Sequence, residues 1–321
     1  MSAGVVVIGS LTIDLTSRST LLPSPGETVL GTEFTMVPGG KGANQALAAA
    51  QMGAPTWMVG CVGDDMFRSV VVSRMEAAGV RLDHLRVVPG MATGVAHIRV
   101  DGAGENNIVM VPLANGALRG DDIDAALDAL AGQVSVALIQ LEIPFDVATH
   151  AVRVAHAAGL IVVLDPAPAP PTPLPVELYG TIDLVTPNES EASVLSGIHV
   201  VDRASAGRAG AWFVERGCAS AAITLGAKGA IVVSRDGGEH FVPPLTVTTV
   251  DTTAAGDAFA GTIGSRLAAG DDLDAAVRWA SAAGALTVTR MGASSALPSL
   301  AAVQDLLERS GSRSSKEEQQ P

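Results

Sequence analysis

The sequence predicts an α/β fold: a three-layer α/β/α sandwich on a mostly parallel sheet, with a small antiparallel β-sheet projecting from it. From Asp121 onward, short β-branched runs alternate strictly with helix-like stretches, the pattern of βα units that put helices on both faces of a parallel sheet. Before that point, pairs of strand-like runs near residues 11–38 and 92–112 break the alternation, and Asp101-Gly102 between two of them is a hairpin signal. Hydrophobic residues make up 48% of the 321 residues and charged residues only 17%, which supplies a sizeable core and excludes a disordered chain.

In chain order, residues 5–8 are a β-branched run ending at Gly9 and read as a buried parallel strand. Residues 28–37 read as strand and lead into the glycine-rich 38–42. The Ala-rich 43–52 reads as a helix stopped by Gly53. A strand at 58–62 and a helix at 67–78 follow, then two strands at 93–100 and 106–111. The alternating part begins with a helix at 121–130, carrying acids in its first turn, and a strand at 134–141. A helix at 145–158 and a strand at 160–164 come next. Residues 166–175 hold six prolines and must be an extended loop. Beyond it lie a strand at 182–185, helices at 189–195 and 204–216, and strands at 221–225 and 230–233. A strand at 246–250 feeds helices at 256–268 and 273–289, and a small helix at 300–309 closes the pattern. The tail 310–321, rich in Ser, Glu and Gln, reads as disordered. Residues 1–309 are thus taken as one domain, and no internal repeat is found.

Several function classes are excluded early. A net charge of −13 disfavours a broad nucleic-acid surface, so any anionic ligand needs a local positive environment. The two cysteines, Cys61 and Cys218, have no metal or disulfide-framework spacing. The six histidines show none either; His150 and His156 do not share a helix face. No apolar run is long enough to cross a membrane, and the N-terminus lacks the basic region of a secretory signal, so a cytoplasmic location is expected. Lys41-Gly42 is not a P-loop ending, residues 101–104 lack a dinucleotide fingerprint, and no Gly-x-Ser-x-Gly elbow occurs.

The segment Asp251-Thr252-Thr253-Ala254-Ala255-Gly256-Asp257 carries the strongest chemical signal. Small residues opening a helix leave backbone N–H groups exposed at its positive end, which makes an anion site. Asp257 beside that site is placed to take a proton from an attacking hydroxyl. A lone Asp at a helix start most often caps it, but Gly256 and a second acid, Asp251, weigh against that reading. In Gly39-Gly40-Lys41-Gly42-Ala43-Asn44-Gln45, glycines admit a ligand to the backbone while Lys41 and Asn44 offer donors; a plain strand–helix connection explains the segment equally well. Asp14 and Glu142 follow strands, where open α/β sheets present ligands, and carboxylates there can hold sugar hydroxyls. Each alone also reads as a solvated loop acid. Asn188 and Glu191 fit a helix start with acids in its first turn.

Taken together these segments resemble the ribokinase-like, or PfkB, family of carbohydrate kinases. Residues 39–46 resemble its N-terminal motif and residues 251–257 its C-terminal motif. Gln140-Leu141-Glu142, Asp165-Pro166-Ala167-Pro168-Ala169, Thr186-Pro187-Asn188-Glu189 and Ile223-Thr224-Leu225-Gly226 fall between them in the family's order. The similarity covers roughly residues 4–309. It implies the ribokinase-like sandwich with a β lid from segments 11–38 and 92–112, and ATP-dependent phosphorylation of the 5-hydroxyl of D-ribose. By the match, Asp257 is the general base, with Ala254, Ala255 and Gly256 forming the amide anion hole. Thr12, Asp14, Gly39, Gly40, Lys41, Asn44 and Glu142 line the sugar site. Asn188, Thr224, Gly226, Gly229 and Gly256 contact ATP. Glu191 helps organise Mg²⁺ through water, and Asp251 and Thr253, with carbonyls of Arg290 to Gly292, form a K⁺ site. The resemblance also implies a homodimer joined through the lids. Two departures stand out: Thr12 replaces an Asn common in the family, which bears on sugar identity (2-deoxyribose, fructose or a nucleoside such as adenosine are the alternatives). Ala296 replaces a Ser, which bears on cation affinity. A sugar- or nucleotide-binding protein without turnover is the competing class, and a nicotinamide dehydrogenase a weaker one.

Overall fold

A computed structural model describes residues 3–170 and 172–317, the stretch 311–317 by its backbone alone. The first half contains β1 (Gly4–Ile8), β2 (Thr12–Arg18), β3 (Glu33–Gly39), α1 (Lys41–Gln51), β4 (Thr56–Gly63), α2 (Met66–Ala77) and β5 (Arg81–Val88). Then come β6 (Gly94–Val100), β7 (Asn106–Val111), α3 (Gly120–Ala129), β8 (Val134–Gln140), α4 (Phe145–Ala157) and β9 (Ile161–Asp165). The second half adds β10 (Leu184–Val185), α5 (Glu189–Ser196), α6 (Arg203–Glu215), β11 (Ser220–Thr224), β12 (Ala230–Ser234) and β13 (Gly238–Val242). It closes with α7 (Ala255–Ala268), α8 (Leu273–Thr287) and α9 (Leu300–Glu317).

Nine strands form the main sheet in the order β13-β12-β11-β10-β9-β8-β1-β4-β5. From β5 to β11 every pairing is parallel; β12 and β13 add antiparallel strands at one edge. Side chains of β1 alternate between two cores, Val6 and Ile8 on one face, Val5 and Val7 on the other. The first face packs α3, α4 and α6; the second packs α1, α7 and α8. Strands buried on both faces read as continuous apolar runs, which is why the central strands were legible.

The small sheet has the order β3-β2-β6-β7, from the two segments the sequence marked. Its outer pairings are antiparallel, but the middle one, β2 with β6, is parallel. That pairing is open to it because β2 and β6 are joined through α1, β4, α2 and β5, long enough for a crossover.

The structure corrects four of the sequence readings. Both edge strands of the main sheet, β5 and β13, were missed: RLDHLRVV and GEHFV carry charges on their open sides, as edges do, and so show no apolar run. Residues 246–250, expected as a strand, make none; their β-branched composition fits a strand, but the backbone N–H of Val250 and of Asp251 both go to Val288 O at the end of α8. Only Glu33–Gly39 of the expected 28–37 run is strand, and Leu30 before it is 88% exposed. Finally, α9 continues through residues 310–317, expected to be disordered; no proline interrupts it there, and Asp305 and Arg309 pair across one turn. Residues 318–321 of that tail lie outside the described residues.

Candidate active site

In the sheet order, β1 leads through the small sheet to β4 on one side, while β8 returns to its other side. The crevice at the carboxyl ends of β1, β8 and β9 is therefore the switch point where ligands bind in open α/β sheets. Most of the sequence-marked polar residues meet there.

Gly39 ends β3 and Gly40 is the N-cap of α1 at φ 92°, a left-handed position that suits glycine. A Cβ on Gly39 would collide with the Asp14 carboxylate, so glycine is what lets β3 pass over that acid. Asp14, on β2, is buried and accepts a hydrogen bond from Thr12 Oγ1 at 2.9 Å. Burial pushes its carboxyl up to about 6, opposed by Thr12 and aided by the negative charges of Glu142 and Asp257. Glu142 Oε2 accepts from Ser10 Oγ at 2.5 Å and from the Lys41 backbone N–H at 2.9 Å, so it also satisfies the first turn of α1. Its carboxyl is raised by burial, with Lys41 acting in the other direction.

Lys41 Nζ stands 3.9 Å from Asp165 Oδ2 and 4.0 Å from Asp257 Oδ1. Burial works against the ammonium, but Asp165, Asp257 and Glu142 outweigh it and hold its proton above the ordinary lysine range. Asn44 Nδ2 donates to Asp257 Oδ2 at 2.9 Å, while Asn44 Oδ1 is buried with no partner. A buried amide oxygen without a donor is costly unless a ligand hydroxyl supplies one. This crevice thus presents acceptors on Asp14, Glu142 and Asn44 and a cation on Lys41, a set suited to a polyhydroxylated ligand.

Asp257 lies in the first turn of α7 and is buried. Ala254, the N-cap, has φ 60°, a left-handed conformation that costs an alanine about 1–2 kcal/mol. The turn brings Ala255 N–H onto Thr252 O at 3.3 Å. Among the described residues no acceptor takes the N–H of Gly256 or Asp257, which leaves both free for an anion. A Cβ on Gly256 would meet nothing within 4 Å, so no protein neighbour demands glycine there. Next to this turn opens a cavity of about 540 Å³, lined by Thr224, Gly226, Gly229, Ala255, Gly256 and Phe259 among others. Thr246, Val247 and Thr249, from the segment that makes no strand, form part of its wall.

Asn188 and Glu191 do not line that cavity. They form a reciprocal capping box on α5, Asn188 Oδ1 accepting from Glu191 N–H and Glu191 Oε2 from Asn188 N–H, each at 2.9 Å. Asn188 is still bridged to Thr224 across the sheet end, and the negative charge of Glu191 acts on both Lys41 and Asp165. Asp251 Oδ1 accepts from Thr253 N–H and Oγ1, and its Oδ2 accepts from Gly292 N–H at 2.9 Å. These bonds hold its carboxyl below the ordinary range despite partial burial. They tie the turn before α7 to the loop holding Arg290 and Gly292. Ala296 is buried and offers no side-chain oxygen. No group of three or more His, Cys, Asp or Glu among the described residues forms a metal cluster.

Sequence reasoning gave no role to Asp165, Gln45, Gln140 and Ser10, all buried in this crevice, though the first three lie in the segments quoted for the resemblance. Asp165 ends β9 and Gln140 ends β8, so the strand-end rule that marked Glu142 also marks them. Gln45 has no such signal, since buried amides are common in cores.

Comparison with known proteins agrees with this geometry. The profile for pfkB family carbohydrate kinase matches residues 2–300. A ribokinase of Bacillus subtilis is 39% identical over 307 residues, covering 94% of this chain and 99% of that one. A deoxyribokinase of Salmonella typhi is 34% identical over 296 residues, covering 92% and 96%. An Arabidopsis thaliana ribokinase, solved with ribose and ATP, superposes with TM-score 0.87 at 30% identity, covering 96% of this chain and 99% of that one. With the family model matched over residues 2–300 and relatives at 30% identity or more over nearly the whole length, the chain belongs to the pfkB family of carbohydrate kinases.

Proposed function

We propose that this protein phosphorylates D-ribose at its 5-hydroxyl, with ATP as phosphoryl donor. The observation that carries the reading is the place of Asp257, held by Asn44 in the polar crevice while the adjoining Gly256 lines the neighbouring cavity. A hydroxyl in the first and a phosphate in the second meet at that carboxylate. Asp257 acts as general base, and the free amides of the α7 turn take up charge on the transferring group. Asp14, Gly39, Gly40, Lys41, Asn44 and Glu142 hold the sugar. Thr224, Gly226, Gly229 and Gly256 hold the nucleotide, with Asn188 at its edge. Mg²⁺ carried by ATP phosphates needs only one or two protein carboxylates, and Glu191 keeps its Oε1 for such a role, directly or through water. When bound, Mg²⁺ neutralises phosphate charge, which a chain of net charge −13 does not do at long range.

The Asp251 tie fits a monovalent cation as well: its carboxylate stays ionised, and one Oδ2 lone pair remains beside the Arg290–Gly292 backbone. K⁺ there would stiffen the turn that presents the anion-binding amides. The small sheet carries Asp14 on one face, so we read it as a lid over the sugar. Residues 1–309 then form one kinase domain, working in the cytoplasm, where ATP is.

Thr12 supports a second reading. Its hydroxyl is already turned onto Asp14 and replaces an amide that offers more hydrogen bonds, which weakens the demand for a full set of sugar hydroxyls. 2-Deoxyribose is the competing substrate. ATP turnover against ribose, 2-deoxyribose, fructose and adenosine tests both readings. Ribose is expected to give the highest kcat/KM; a clear preference for 2-deoxyribose reassigns the sugar, and no sugar-dependent turnover removes the kinase reading.

A further inference from the structure

A line of buried amides and acids lies behind Asp257 and touches neither the proposed sugar contacts on β2 nor the nucleotide cavity. Gln140, ending β8, donates from Nε2 to Gln45 Oε1 at 2.6 Å. Gln45, on α1, in turn directs Nε2 at two carboxylates, 2.8 Å from Asp165 Oδ2 and 3.3 Å from Asp257 Oδ1. Asp165 stands beside Gln140 in register, at the neighbouring strand end. Gln45 and Gln140 are fully buried and Asp165 nearly so. An amide has one accepting and one donating end. Because Gln140 donates to the oxygen of Gln45, the two hydrogens of Nε2 face the carboxylates, one for each.

We propose that Gln45, locked between Gln140 and Asp165, is a positioning residue that fixes the plane of the Asp257 carboxylate for proton removal from the sugar. The proposal rests on Asp257 being the base. A carboxylate torsion is broad and two-fold by itself, so its orientation must come from its partners. Here Oδ1 is held by Gln45 and Oδ2 by Asn44, adjacent residues of one helix, so both oxygens are referred to a single rigid element. Asp165 serves as anchor. Burial pushes its carboxyl up to about 8, opposed by Lys41, and its Oδ2 accepts from Gln45 Nε2. The groups facing Asp257 are Lys41, Asn44 and Gln45 from α1 and Asp165 from β9, with the charges of Asp14 and Glu142 further off.

The test measures kcat and ribose KM for Gln45→Met, Asp165→Ala and Asp165→Asn in the full chain, after a melting curve for each. Gln45→Met keeps the volume and removes the donor. Its kcat is expected to fall about 10- to 100-fold, the scale for a misplaced reacting group, while ribose KM moves far less. Asp165→Ala should lose rate in the same sense, and Asp165→Asn, which keeps an acceptor for Gln45, should recover most of that loss. A folded Gln45→Met variant with the parent's kcat overturns the proposal. So does an Asp165→Asn variant as slow as Asp165→Ala. If Gln45→Met does not fold, the Asp165 pair decides alone. Absent sugar-dependent turnover in the parent protein defeats the kinase reading. Turnover that Asp257→Asn abolishes but Gln45→Met leaves intact defeats only this inference.

Discussion

Asp257 and Asp165 lie close enough to share one ammonium, and their environments assign them different work. Asp257 faces the crevice and takes hydrogen bonds at both oxygens. Asp257→Asn keeps its size but removes the proton acceptor. Turnover should fall about 10²–10⁴-fold, the usual scale for loss of a general base, with sugar binding largely kept. Steady-state kinetics with a ribose-binding titration checks this; an unchanged rate removes the base assignment. Asp165 is buried to a similar degree, and its raised carboxyl means that the folded state holds a proton the unfolded chain gives up near 4. The folded chain binds more protons over that interval, so this group's share of stability falls as pH rises, from about 4 to about 8. Asp165→Asn cannot titrate. Its melting temperature relative to the parent should therefore climb across that window and then level off, as read by thermal melts of the apoenzyme at a series of pH values. A difference that does not vary with pH contradicts it.

At the scale of elements, α1 and α7 do the positioning, and each starts with an unusual backbone. The α7 turn needs a left-handed alanine and leaves two amides open. Gly256 sits in this turn with open space where a side chain would go. Gly256→Ala should therefore fold well and gain about 0.5–1 kcal/mol from the better helix former. The same methyl projects toward the cavity that Gly256 lines, so kcat should drop. Opposite signs in a denaturation curve and a rate assay are the expected signature; loss of stability would mean that the turn itself requires glycine. Behind this turn, Asp251 binds the loop at Gly292. Activity in potassium should exceed activity in a large organic cation at equal ionic strength, and equal rates across the concentration range would exclude an activating cation there.

For the whole molecule, the small sheet is the part least covered by its own chain. Phe34 is 61% exposed and Val109 57%, with Met36, Ile108 and Val111 also open. One face carries Asp14; the other rests its root, Leu15 and Val95, against the second core and leaves Phe34, Met36 and Val109 bare. An apolar surface of this kind on a monomer is unusual, and a two-fold contact between two such sheets would cover it. Light scattering at micromolar protein should give a dimer mass, and Phe34→Glu should shift it toward the monomer. A monomer mass with full activity removes the dimer.

The sequence by itself determined the parallel core, because strands buried on both faces must be apolar throughout and read as such. It also marked Asp257, Lys41, Asn44, Asp14 and Glu142, because helix starts and strand ends are local features with local signatures. Only the tertiary structure decided the rest. The edge strands β5 and β13 look polar because half of each faces water, and residues 246–250 look like a strand but line the cavity beside α7 instead. Asn188 and Glu191, read as a helix start, cap α5 reciprocally, an arrangement set by which partner lies within reach. Gln45, Gln140 and Asp165 belong to three elements far apart in sequence. Their meaning lies in a hydrogen-bond direction that exists only once β8, β9 and α1 are packed, and no spacing along the chain encodes it.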